Sequence, residues 1–140
     1  ETVKRLYRLN QDTGSDKKRS VRPQANYERS LTLLKYVKQQ SEIITKSGIM
    51  IGLSESVDEI KECIDDLSNA DCNIINIGQY LQPTLEHINV SKYYSLEEFE
   101  YLKNYALNRK SILSVDSGPM VRSSYHAEKQ LKKCKEALGN

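Results

Sequence analysis

The strongest chemistry in this chain sits in Arg122-Ser123-Ser124-Tyr125-His126, where five consecutive side chains carry hydrogen-bond donors or acceptors. Gly118-Pro119 makes a rigid bend ahead of them, and a helical pattern follows from Ala127. Two serines before a helix are good N-caps, so helix capping and turn chemistry are one use for them. The histidine is either a proton carrier or a polar residue at a helix start. His87, in a polar loop after Pro83, has less claim to a role.

A second stretch, Thr45 to Ser56, is an apolar run rich in β-branched residues that ends in small residues and passes at once into a helix start. It predicts a buried strand over 45–53. In a parallel α/β protein the carboxyl end of such a strand is where ligands sit, because loops and helix amino-termini present free N–H groups there. A nucleotide-like ligand is the natural occupant. The spacing Gly48-x-Met50-x-Gly52-x-x-Glu55 lets a ligand approach the backbone and leaves a carboxylate at the strand mouth, or else it is a core strand with a tight exit turn.

Cys63, Cys72 and Cys134 form no close-spaced pair or triplet, which fits neither a disulfide framework nor a zinc site. They read as core thiols in a reducing compartment. Arg29, one residue from an apolar helical stripe, either reaches an anionic group or is solvated.

These residues need elements to hold them. Tyr27, Leu31, Leu34 and Val37 recur at helical spacing up to Gln39 and Gln40, giving one stripe to pack on a sheet. Ser56-Val57-Asp58-Glu59 and Ser95-Leu96-Glu97-Glu98 are capping boxes that start two more helices. Between them Ile74 to Tyr80 predicts a strand, with Gly78 marking close backbone approach. A last helix, Ala127 to Leu138, is stopped by Gly139. Strand and helix alternate, which argues for parallel βαβ units in an α/β fold.

The chain has 140 residues and 38% apolar residues, enough for one domain with a core. Its net charge is +2, and the basic excess lies in residues 1–29, with no interleaved aromatic platform; neither nucleic-acid binding nor a bilayer span nor a signal peptide is indicated. Residues 9–22 are polar and aperiodic and read as a surface insertion.

Four strings in fixed order resemble the lipoyl synthases, which are radical S-adenosylmethionine (SAM) enzymes: Glu1-Thr2-Val3 near Arg5-Leu6-Tyr7, Thr45-Lys46-Ser47-Gly48, Ile77-Gly78-Gln79-Tyr80-Leu81-Gln82-Pro83-Thr84, and Ser117-Gly118-Pro119-Met120-Val121-Arg122-Ser123-Ser124-Tyr125-His126-Ala127. The resemblance implies the carboxyl-terminal portion of a partial (β/α)6 radical SAM barrel plus a C-terminal helix, with residues 1–110 in the barrel and 111–140 forming a loop and helix that cap an auxiliary cluster. Only the last two barrel strands are expected here. It also implies insertion of two sulfur atoms at C6 and C8 of protein-bound octanoyl-lysine.

The cofactors so implied are SAM and two 4Fe-4S clusters, whose cysteine triplets are missing from this sequence, so the segment alone should be inactive. Ser124, or alternatively Ser123, would ligate the auxiliary cluster. Glu1, Arg29, Gly48, Gly52, Glu55, Tyr80, Leu81 and Gln82 would face SAM, while Arg122 would orient the loop or meet substrate and Tyr125 would pack against it. Relatives carry Gly-Glu-Thr where this chain has Ser54-Glu55-Ser56, a departure that touches the exit turn. Implied partners are octanoylated lipoyl-carrier domains, namely the E2 subunits of 2-oxoacid dehydrogenases and the H protein of glycine cleavage. The compartment would be mitochondrion or plastid in a eukaryote and cytoplasm in a bacterium, without secretion. Rival readings are a biotin synthase-like radical SAM enzyme and a non-catalytic half-barrel binding module.

Overall fold

A computed structural model describes residues 26–139. Glu1, the strings near Arg5 and the 9–22 segment lie outside the described residues. Helix and strand alternate as the sequence predicts: α1 (Tyr27–Gln40), β1 (Lys46–Ile51), α2 (Val57–Asn69), β2 (Ile74–Gln79), α3 (Leu96–Leu107), β3 (Ser114–Gly118) and α4 (Ala127–Leu138). Both capping boxes form, with Glu59 N–H donating to Ser56 Oγ and Glu98 N–H to Ser95 Oγ, each at 3.2 Å, and each glutamate accepting from its cap residue's N–H.

The three strands are parallel in the order β1-β2-β3, with Gly48 opposite Asn76 and Asn76 opposite Asp116. β3 is one strand more than the sequence led us to expect. Ser114-Val115-Asp116-Ser117-Gly118 has a single large apolar residue, too little for a hydropathy pattern to register. It is held instead by pairing to β2 and by Ser117 Oγ donating to the Phe99 carbonyl at 2.8 Å.

Because side chains alternate along a strand, the sheet has two unlike faces. Ile49, Ile51, Ile75, Ile77 and Val115 point to one face and pack with Ile60, Cys63, Ile64 and Leu67 of α2 and Phe99, Leu102 and Ala106 of α3. This is the core, and each fully buried aliphatic side chain contributes roughly 1.5–3 kcal/mol. Tyr27, Leu31 and Leu34 of α1 pack against its margin, although α1 itself buries no residue completely. The opposite face carries Lys46, Gly48 and Met50 from β1, Asn76 and Gly78 from β2, and Asp116 from β3, and is covered in part by α4 through buried Gln130 and Cys134. Among the described residues no helix is long and apolar enough to cross a membrane.

All three thiols are free and buried, as expected of core cysteines. Burial pushes the Cys63 thiol up from 9.0 to about 11, and raises Cys72 and Cys134 in the same direction. The unfolded chain therefore releases the Cys63 proton first, so its contribution to stability is complete below pH 9.0 and is lost as pH rises through about 11. Wild type should lose on the order of 2 kcal/mol more across that window than Cys63→Ser, which cannot titrate. Denaturant melts of both proteins at either end of the window check this, and parallel losses would contradict it.

Candidate functional site

The exit turn of β1 is built on two residues in the left-handed region, Gly52 at φ +112 and Ser54 at φ +78. Glu55 closes it: one carboxylate oxygen accepts from Gly52 N–H at 2.6 Å and from Tyr94 Oη at 3.0 Å, the other from Leu53 N–H at 2.7 Å. Burial, with the Glu55 carboxylate beside it, holds the Tyr94 phenol well above its ordinary range, so it stays a donor. The departure at Ser54 leaves the turn in place at the cost of a left-handed serine. Since Ser54 is exposed and glycine adopts that φ freely, Ser54→Gly should stabilise the protein by about 1 kcal/mol. An unchanged or lowered melting temperature would contradict this.

Gly52 is required by the protein's own packing. A Cβ there would run into the Gln79 amide and lie 2.7 Å from the Lys92 carbonyl. Gln79, 2% exposed at the end of β2, donates to the carbonyls of Ile51, Tyr80 and Lys92 and accepts from Tyr94 N–H. It ties the ends of β1 and β2 to the segment leading into α3. Tyr80 Oη donates to the Ile88 carbonyl at 2.8 Å and Gln82 Nε2 to the His87 carbonyl at 2.9 Å, so both brace the loop after β2. Leu81 between them is 45% exposed. His87 is occupied locally, its Nδ1 2.8 Å from Thr84 Oγ1.

The segment after β3 turns back over the second face of the sheet. Gly78 makes room: a Cβ there would collide with the Val121 carbonyl and come within 3.3 Å of both the Arg122 guanidinium and Met50 Sδ. Asn76 Nδ2 donates to the Arg122 carbonyl at 2.7 Å. The Arg122 guanidinium folds back on its own loop, donating to the carbonyls of Pro119 at 3.2 Å and Val121 at 2.7 Å. Tyr125 N–H donates to the Arg122 carbonyl at 3.0 Å, closing a turn whose outward residues, Ser123 and Ser124, are exposed.

The capping use of those serines is not realised. The residue before α4 is His126, at φ +45 and with no side-chain capping bond. A left-handed residue at that position takes the place the serines were expected to fill. The Tyr125 ring packs on the His126 imidazole at 3.9 Å between centroids, and His126 Nδ1 lies 3.7 Å from Asp116 Oδ2, a buried oxygen with no hydrogen-bond partner among the described residues.

The structure thus places Gly52, Glu55, Tyr80, Leu81 and Gln82 at the carboxyl ends of β1 and β2, and the Arg122–Tyr125 turn over the second face of the sheet. Gly48 lies on the exposed second face of β1, where a Cβ would meet only the Asn76 carbonyl at 3.7 Å. Arg29 is exposed at the start of α1, where its backbone N–H bonds the Asn26 side chain at 2.9 Å. Sequence reasoning missed Asn76, Gln79, Tyr94, Asp116 and Gln130. The signal for two of them was a polar side chain inside an apolar strand, which asks for a buried partner.

The three cysteines offer no shared centre. Cys63 is on α2, Cys72 donates weakly to the Ile74 carbonyl in the turn before β2, and Cys134 is on α4, and no group of three metal-ligating side chains occurs among the described residues. Ser123, Ser124 and Tyr125 are the hydroxyl-bearing residues of the 119–126 turn, and all three are exposed.

Fold and site define a parallel α/β protein whose glycine-bearing and polar motifs converge where its strands end. No family model matches the chain. A lipoyl synthase from Chlorobaculum parvum (strain DSM 263 / NCIMB 8327) is 50% identical over 109 residues, 78% of this chain. The resemblance to the lipoyl synthases is therefore shown, and this chain matches a portion of one. It spans 37% of the length of that relative.

Proposed function

We propose that this chain is the carboxyl-terminal part of a lipoyl synthase, and that it serves insertion of two sulfur atoms at C6 and C8 of an octanoyl chain carried on a lysine of a lipoyl-carrier domain. The observation that carries the reading is 50% identity over 109 residues to a named lipoyl synthase, with two of the resembling strings, 77–84 and 117–127, leaving the ends of adjacent parallel strands while 45–48 opens β1. Both crossover helices pack on one face of that sheet, as in a stretch of barrel wall, and α4 covers part of the other. This supports a partial radical SAM barrel with the Gly48 face turned inward.

When bound, SAM and two 4Fe-4S clusters supply the hydrogen-abstracting radical and the sulfide. The residues of this chain orient and enclose. The backbone at Gly48 and Gly52, with Glu55, Tyr80, Leu81 and Gln82, would line the SAM pocket, with Arg29 and Glu1 as further candidates for contact with SAM. Glu55 works mainly through the turn, because three of its acceptor positions are filled from within the protein. Ser124 would give its oxygen to the auxiliary cluster, with Ser123 as the neighbouring candidate, and the exposure of both residues suits that role. Arg122 orients the loop through its carbonyl bonds. Octanoylated E2 and H-protein domains approach this end of the sheet.

The sequence holds three scattered cysteines and no triplet, so the 140-residue chain alone is inactive. The test is growth without lipoate of a bacterium deleted for its own lipoyl synthase. The full-length protein containing this segment should restore growth and the 140-residue chain should not. Failure of the former, or success of the latter, would overturn the proposal.

A further inference from the structure

Beneath the Arg122–Tyr125 turn runs a directed chain of hydrogen bonds that crosses three elements. Lys46 Nζ on β1 donates to Gln130 Oε1 on α4 at 2.7 Å, Gln130 Nε2 donates to Asn76 Oδ1 on β2 at 2.8 Å, and Asn76 Nδ2 donates to the Arg122 carbonyl at 2.7 Å. Gln130 and Asn76 are 2% and 3% exposed. An ammonium can only donate, so Lys46 fixes which end of the Gln130 amide faces it, and that in turn fixes the Asn76 amide. The Asn76 amide nitrogen at the end of the chain donates to the carbonyl of the residue before the serines. Gly78 lets the neighbouring Val121 carbonyl sit directly on the sheet beside that contact.

We infer that Asn76 is a positioning residue for the serine-bearing turn, oriented through Gln130 by Lys46, so that α4 sets where the Ser123 and Ser124 hydroxyls lie above the sheet. This rests on the proposed function for its consequence in catalysis, but the tether itself is a property of this chain. An apolar side chain at position 76 would fill the same space; only a side chain that both accepts from Gln130 and donates to Arg122 locates the turn. Buried polar chains of this kind specify one arrangement because every alternative leaves a group unpaired.

The test is amide hydrogen exchange of the full-length protein, without SAM, substrate or clusters, comparing residues 119–126 with residues 74–79. Asn76→Asp keeps the shape and the acceptor for Gln130 but sets a carboxylate against the Arg122 carbonyl. Exchange in 119–126 should rise about tenfold, as expected for loss of one buried hydrogen bond, with 74–79 unchanged. Gln130→Met leaves β2 intact and guards against a strand that tolerates no charge; it should loosen the same turn. Wild-type exchange of 119–126 in Gln130→Met, or a rise shared equally by 74–79, overturns the tether. The ratio of lipoyl product to 5′-deoxyadenosine in both variants should fall. A loosened turn with a wild-type ratio would count against the Ser124 reading and leave the tether standing, so the two failures are distinguishable.

Discussion

Ser124→Ala in the full-length protein should abolish lipoyl product while 5′-deoxyadenosine continues to form from SAM. The loss should exceed the roughly 10–100-fold typical of removing an outer-shell partner, because on the proposed function a direct ligand is lost. Structure removes the simplest competing explanation. Ser124 is exposed and caps nothing, since His126 occupies the residue before α4 without a side-chain capping bond, so the substitution should shift stability by less than about 0.5 kcal/mol. Ser123→Ala is the paired control and should retain product. Ser124→Cys should also fail, since a thiolate is a softer and firmer ligand for iron than a serine oxygen. Product from Ser124→Ala at the wild-type ratio, with product lost in Ser123→Ala, would move the assignment one residue back.

Gly52→Ala should destabilise the protein by about 3–5 kcal/mol, whereas Gly48→Ala should change stability by less than about 1 kcal/mol. At Gly52 the backbone sits at φ +112 and a Cβ would strike the Gln79 amide and the Lys92 carbonyl. Gln79 cannot yield cheaply, because its four bonds hold the ends of β1 and β2 to the approach of α3. At Gly48 the nearest atom to a Cβ is 3.7 Å away, an ordinary contact. If Gly48 instead serves close approach of SAM, its alanine variant will fold normally and bind SAM weakly. Urea melts of the two variants decide the first point, and equal losses would contradict the packing account.

That contrast shows what the sequence could and could not disclose. Periodicity and capping boxes placed α2 and α3 because each signal is local: a serine, a glutamate three residues on, and an apolar stripe. The exit turns of β1 and β2 were legible as neighbours, since parallel strands joined by helices send every exit loop the same way, but Gly48 near the start of β1 and the 122–125 turn over the second face lie elsewhere. The reason for Gly52 was not legible, because the groups that crowd it come from Gln79 and Lys92, far along the chain. β3 escaped for a similar reason: its stability lies in pairing with β2 and in Ser117 bonding α3, contacts that five mostly polar residues do not advertise. Nor does local sequence reveal that a left-handed His126 would displace two good capping residues from their usual work.

The central claim is that this segment works within a lipoyl synthase. Its most direct measurement is mass spectrometry of the carrier lysine after the full-length protein is incubated with SAM, reductant and both an octanoylated lipoyl-carrier domain and dethiobiotin. Two sulfur atoms are expected on the octanoyl chain, at C6 and C8, and none on dethiobiotin. Sulfur on dethiobiotin, or an octanoyl chain left unchanged while SAM is consumed, would contradict that claim.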